Sequence, residues 1–249
     1  MSEAARAIVN GETLLLDQAG AVYWPAEQTL VLADLHFEKG SSFARRGMML
    51  PPYDTKETLA RIAELFARHR PARVISLGDS FHDGDGPSRL DPKSREQLDS
   101  LIRACEWIWI EGNHDAASAA TLGGRVYSEV AIGNLLFRHE PLGGMQMGEI
   151  AGHLHPCTSI TRRGRSLRRR CFLTDGVRLV MPSFGAYTGG LDMRDAAFVP
   201  LFANTFMAYA LGRTRVYAVA ARGDVQSLRR KITEDSQPRT IAIVTADNP

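Results

Sequence analysis

Seven residues in five clusters have types and spacings suited to holding metal ions. They are Asp34-x-His36, Asp79 of Gly78-Asp79, Asn113 of Gly112-Asn113-His114-Asp115, His139, and His153-x-His155. Carboxylates, imidazoles and one amide oxygen make a mixed nitrogen and oxygen donor set. Such a set suits Mn²⁺, Fe²⁺ or Zn²⁺ better than Ca²⁺ or a thiolate-bound structural zinc. Seven donors exceed what one tetrahedral ion takes, so two ions sharing a bridging carboxylate is the economical arrangement. Pairs of this kind stand about 3.5–4 Å apart and activate a hydroxide for in-line attack. In Asp34-x-His36 and His153-x-His155, a strand period of two predicts that both side chains point to one side. Each cluster alone has an ordinary reading as a turn, a surface histidine or chance. Their ordered joint occurrence, mostly at strand ends, points to a binuclear centre.

The elements that must position them follow from hydrophobic spacing. Thr29 to Ala33 is an apolar run that stops at Asp34, Arg73 to Leu77 stops at Gly78-Asp79, and Trp107 to Ile110 precedes the third cluster. Each reads as a buried strand delivering a polar group at its carboxyl end, the usual place for function in an α/β layout. Between them, Leu59, Ile62, Ala63 and Phe66 recur at helical spacing, with Asp54 and Glu57 in the form of a capping box and Pro71 as terminator. Residues 92–105 read as a second amphipathic helix. After about residue 125 the pattern becomes strand-rich: residues 126–131, 135–137, 171–173, 177–180 and 216–220, with Gly133-Asn134 and Asp175-Gly176 as hairpin turns. The reading is one domain over residues 1–227, followed by a polar extension, 228–249, in which residues 241–244 can add an edge strand.

The 249 residues are 44% hydrophobic and 23% charged, enough for a core and too apolar for wholesale disorder. A net charge of +2 excludes a strongly basic nucleic-acid coat. Cys105, Cys157 and Cys171 form no C-x-x-C and cannot all pair within one chain, which fits a reducing cytoplasm. No apolar run approaches the roughly 18 residues of a membrane span.

In their order, the five clusters resemble the calcineurin-like metallophosphoesterase superfamily over about residues 30–156. Residues 33–41, 77–83 and 183–192 are similar to the ligase-associated DNA damage response endonucleases of bacteria, and carry the likeness to about residue 220. The resemblance implies a four-layer α/β/β/α sandwich of two mixed β-sheets flanked by helices. It implies Asp34, His36 and His155 on one ion, Asn113, His139 and His153 on the other, and Asp79 bridging. His114 is then no ligand: it lies beside the scissile phosphate and assists the leaving alkoxide or stabilises the transition state, with Asp115 orienting it. The family reading adds a Mn-dependent endonuclease for single-stranded DNA in DNA repair, encoded with a DNA ligase and a helicase, and a homodimer. The superfamily usually has Gly-His where this chain has Arg138-His139, so Arg138 either points away into the sheet or contacts a phosphate.

Two basic stretches bear on the substrate. Residues 162–170 carry six arginines in nine positions, among them Arg162, Arg163 and Arg165. This loop reads either as an electrostatic arm for a phosphate backbone or as a solvated hairpin tip. Phe43-Ala44-Arg45-Arg46 offers a ring and two cations to a single strand, or a packed loop. His82, three residues past Asp79, contacts substrate or makes a structural hydrogen bond. Residues 183–192, rich in Gly and aromatics, close a wall of the cleft or form a turn that the fold needs. Two other functions compete: hydrolysis of small nucleotide or lipid-linked diphosphate substrates, and a non-catalytic interaction module. The presence of every ligand and of His114 argues against the last.

Overall fold

Three short antiparallel strands, β1 (Ala5–Val9), β2 (Glu12–Leu16) and β3 (Val22–Trp24), lead into β4 (Thr29–Ala33) in the computed structural model, which describes residues 4–113, 119–162, 165–202 and 205–220. From β4 onward the pairing is parallel: β5 (Arg73–Leu77), β6 (Glu106–Ile110) and β7 (Arg125–Tyr127) add in chain order to complete a seven-stranded sheet. Parallel neighbours need crossovers. Helices α1 (Lys39–Arg45) and α2 (Asp54–His69) join β4 to β5, and α3 (Gly86–Arg89) and α4 (Pro92–Arg103) join β5 to β6.

Alternation along the parallel strands divides two cores. Val31, Ala33, Ile75, Leu77, Ile108 and Ile110 face inward to the second sheet. Leu30, Leu32, Val74, Trp107 and Trp109 face outward to Leu59, Ile62 and Leu65 of α2 and Leu98 and Ile102 of α4. Strands buried on both faces read as continuous apolar runs, which is why these were legible. Each of the valines, leucines and isoleucines among them contributes roughly 1.5–3 kcal/mol on burial.

The second sheet holds β8 (Glu129–Ile132), β9 (Leu135–Arg138), β10 (Glu149–Ala151), β11 (Cys157–Arg162), β12 (Arg165–Thr174), β13 (Leu179–Val180), β14 (Met207–Leu211) and β15 (Val216–Ala220). Its order is β15-β14-β12-β13-β10-β9-β8, with β11 paired to the first part of β12. β9, β10 and β13 run parallel and the other pairs antiparallel, so both sheets are mixed. Leu135, Phe137, Ile150, Phe172 and Leu179 complete the inner core. On the outer face Cys171, Leu173, Val180, Ala208 and Ala210 pack under Phe198, Leu201, Phe202 and Phe206. Among the described residues this fourth layer is a coil with one 3-10 turn, Ala196–Phe198.

Three local expectations change. Residues 126–131 are not one strand: the chain leaves the first sheet after Tyr127 and enters the second at Glu129, and the partly exposed edge positions carry no hydrophobic mark of that switch. Asp54 does not cap α2; Tyr53 holds that position, and the buried Asp54 carboxylate accepts the Gly40 N–H at 3.0 Å, tying α1 to α2. Of the basic stretch 162–170, the described residues, 162 and 165–170, are not loop but paired strand of β11 and β12. Residues 221–249, with the expected extension and edge strand, lie outside the described residues.

Candidate metal centre

The loops after β4 and β5 lie side by side and bond to each other. His36 N–H donates to Asp79 O (2.9 Å), Phe37 N–H to Ser80 O (2.8 Å), and His82 N–H back to Phe37 O (3.0 Å). Here the expected extended geometry gives way. Asp34 and His36 have φ of 53° and 45°, and His153 and His155 have φ of 66° and 46°. Asp79 joins them at 43°. Both D/H-x-H pairs are therefore presented by left-handed turns rather than by the pleat of a strand, a costly conformation kept by the surrounding bonds. Gly78 also has positive φ, and a Cβ there would lie 2.4 Å from His139 Nδ1. Gly152 leaves equivalent room for the Asp34 carboxylate, 2.5 Å from where its Cβ would be.

Two groups of donors result. Asp34, His36 and His155 each offer one atom within 4.8 Å of the others, and so do Asp79, His139 and His153. His155 Nε2 stands 3.1 Å from Asp34 Oδ1 and His139 Nε2 stands 3.6 Å from Asp79 Oδ1. His139 Nδ1 is 3.8 Å from Asp34 Oδ1, so the groups adjoin. The Asn113 side-chain amide is 3.4 Å from His153 Nδ1, which brings all seven sequence-selected residues together. Asp34, His36, Asp79 and His139 are buried, whereas Asn113 is exposed, so the centre opens to solvent on that side.

The donors fit a pair of divalent cations. His139 Nδ1 lies 2.9 Å from Leu77 O and donates to it, which leaves Nε2 as a lone pair facing His153 Nδ1 at 3.2 Å. Burial pushes the His36 imidazole down to about 3 against the pull of Asp34, so it is neutral at pH 7, as a ligand must be. Burial alone would raise the Asp34 carboxyl, but His155, His139 and His36 outweigh it and hold it below the ordinary range. A buried carboxylate surrounded by imidazoles is the environment a cation completes.

The other expected contacts divide. The His82 ring lies 5.8 Å from His36 and 5.4 Å from Phe43, beside the first group. Arg45 and Arg46 line an open cavity of about 460 Å³ with Ser42, Asp83 and Asp85, and Arg45 pairs with Asp85 at 3.1 Å. Arg138 is turned away from the centre: it pairs with Glu129 (2.6 Å) and with buried Glu149 (3.5 Å), because alternation in β9 sends Phe137 inward and its neighbour out. It is therefore corrected to a structural cation. Arg162 and Arg165 end the hairpin strands; Arg163, His114 and Asp115 lie outside the described residues.

Sequence reasoning missed what holds Asp34 from behind. Ser183 Oγ donates to Asp34 O (3.0 Å), as does Gly185 N–H (3.1 Å). Arg170 donates to the carbonyls of Ser183 (2.7 Å), Gly185 (3.3 Å) and Phe184 (3.4 Å). An arginine inside a basic run gives no local sign that it is spent on carbonyls of a distant loop. Glu38 is likewise buried, accepting from Ser41 (2.7 Å) and Thr55 (2.9 Å).

This fold and centre agree with the comparisons. The family model for calcineurin-like phosphoesterases matches residues 28–169, and the chain belongs to that family, whose members are metal-dependent phosphoesterases working with two ions. The crystal structure of Pseudomonas putida nuclease MPE is similar at 30% identity and a TM-score of 0.67, covering 87% of this chain and 100% of that one. YfcE, a phosphoesterase from E. coli, covers 77% of this chain and 98% of its own at 16% identity, with a TM-score of 0.40. A search of curated proteins gives no match. Among the described residues no helix is long and apolar enough to cross a membrane.

Proposed function

We propose that this phosphoesterase is a Mn-dependent endonuclease acting on single-stranded DNA. The observation that carries the reading is the arginine-bearing β11–β12 hairpin, which begins two residues after His155 and so rises from the rim of the metal centre. Similarity to a nuclease supports it. Asp34, His36 and His155 would hold one ion, Asn113, His139 and His153 the other, with Asp79 between them. When bound, such a pair neutralises phosphate oxygens and supplies a nucleophilic water at neutral pH. The protein's own part is then to orient and to move protons. Leu77 O fixes the His139 tautomer. His114 donates a proton to the leaving oxygen and Asp115 orients it. The hairpin arginines hold the phosphate backbone. A homodimer acting in the cytoplasm alongside a DNA ligase and a helicase in repair completes the proposal.

The test is cleavage of linear single-stranded DNA by metal-stripped protein with and without Mn²⁺, using Asn113→Ala as the contamination control. Mn²⁺-dependent cutting that the variant lacks is the expected result. Mn²⁺-dependent hydrolysis of a nitrophenyl diester without any DNA cutting would replace DNA by a small substrate. His114→Ala should keep metal and lose most turnover on DNA while an activated nitrophenyl diester suffers less; equal losses would contradict the proton-donor role.

A further inference from the structure

One loop joins the metal centre to the arginine hairpin, and it carries an aromatic side chain in a conformation that aromatics avoid. Tyr187 has φ of 56° and is 42% exposed. Its loop is pinned on both sides. Upstream, Arg170 gathers the carbonyls of residues 183–185, Ser183 Oγ and Gly185 N–H reach Asp34 O, and Ala186 N–H donates to Thr58 Oγ1 at 3.3 Å. Downstream, Thr188 Oγ1 donates to Gly185 O (3.0 Å), Gly190 packs so closely on the His155 carbonyl that a Cβ would lie 2.0 Å from it, and Arg168 donates to Gly190 O. The backbone on either side thus serves Asp34 and His155, while the ring is left in solvent. A left-handed non-glycine residue is strained and persists where its surroundings over-determine it, which makes it a pointer to function. Glycine would satisfy this backbone without strain.

We propose that Tyr187 is a platform on which a base of the bound strand stacks, carried by the loop that holds Asp34 from behind and that Arg168 clasps at Gly190 O. The inference rests on the single-stranded DNA reading and names a further contact for it. An exposed ring on a rigid loop loses little freedom on binding, and stacking next to cations is how single strands are held without sequence preference. Phosphates meet the hairpin and a base meets Tyr187, so the scissile bond is held from two sides.

The experiment compares an oligodeoxythymidylate with the same strand built from abasic spacers, using the Mn²⁺-loaded full chain and its Tyr187→Ala, Tyr187→Phe and Tyr187→Gly variants. Wild type should show KM about tenfold lower for the strand with bases. Tyr187→Ala and Tyr187→Gly should lose most of that preference, and Tyr187→Phe should keep it. Turnover of methyl p-nitrophenyl phosphate should stay within about twofold throughout, and Tyr187→Gly should melt no lower than wild type. Unchanged preference in Tyr187→Ala overturns the platform while leaving the nuclease standing. Equal losses on both strands and on the small diester overturn it in favour of a structural role. A wild type that hydrolyses the small diester and cuts neither strand removes the DNA reading itself, and the platform with it.

Discussion

The two sheets hold their shares of the centre by different means. The first sheet presents Asp34, His36 and Asp79 from loops that bond to each other through backbone groups, His36 N–H to Asp79 O and Phe37 N–H to Ser80 O. The second sheet presents His139, His153 and His155, and here side chains fix backbone: Arg170 on the 183–185 carbonyls, Arg168 on Gly190 O, and the Asp34 carboxylate receiving His153 N–H at 3.0 and 3.2 Å. A backbone ladder survives replacement of the side chains along it. A side-chain clamp fails with one substitution. The Asp79 loop should therefore be sensitive mainly at its ligand, and the part that Arg170 and Arg168 clamp, Asp34 included, also at residues remote from the ligands.

The largest effect should come where the halves meet. Asp79→Ala should remove both ions by elemental analysis and lower phosphodiesterase turnover by about 10³-fold or more, since charge neutralisation at the phosphate is lost. Two tightly bound ions in that variant would mean that Asp79 serves one group only. Arg170→Ala comes next: a loss of about 2–4 kcal/mol in chemical denaturation and metal affinity lower by about 10–100-fold. Its counterpart in the first sheet is Ser76→Ala, which removes a buried hydroxyl pair with Ser80 (3.0 Å) beneath the Asp79 loop. That variant should cost about 1 kcal/mol and leave metal affinity unchanged. If Ser76→Ala weakened metal as much as Arg170→Ala, the contrast between ladder and clamp would collapse.

The smallest effect is a pH dependence. Burial works to raise the Asp83 carboxyl, yet bonds from Arg89 and Ser42 outweigh it and hold it down to about 2. An unfolded aspartate titrates at about 3.9. The folded value is the lower one, so this pair's stabilisation is complete above about pH 4 and is lost as pH falls toward 2. Asp83→Asn should flatten that part of the acid limb in urea melts recorded across pH; an identical limb in both proteins would assign it to other carboxylates.

The same contrast explains what the sequence disclosed. Arg73–Leu77 and Val216–Ala220 were read end to end, and the strand before Asp34 likewise, because an apolar run ending in polar residues is a local pattern. The seven ligand-type residues were legible by kind and order, and the structure brings them together. The three-residue strand Glu149–Ala151 is too short to show a period, and of the expected strand 177–180 only Leu179–Val180 pairs. Met207–Leu211 was unread because two of its core-facing side chains are alanines. The clamp was out of reach for a different reason: Ser183 meets a partner 149 positions away, and which arginine faces it depends on the register of β12. Aspartate and histidine tolerate a positive φ without requiring it, so the turns at Asp34 and His153 share the local pattern of strand.

Those turns set the alphabet from which the centre can be built. Five of its six carboxylate and imidazole residues sit at positive φ. Aspartate, asparagine and histidine are the non-glycine residues most at home there, and they are also oxygen and nitrogen donors. Cysteine, which a softer metal would want, and β-branched residues meet a backbone that disfavours them before any ligand chemistry is tested. Evolution of a new metal preference in this scaffold is thereby channelled into exchanges among three side chains. A saturation library at these five positions, sorted for folded protein alone, should return mainly those three and glycine.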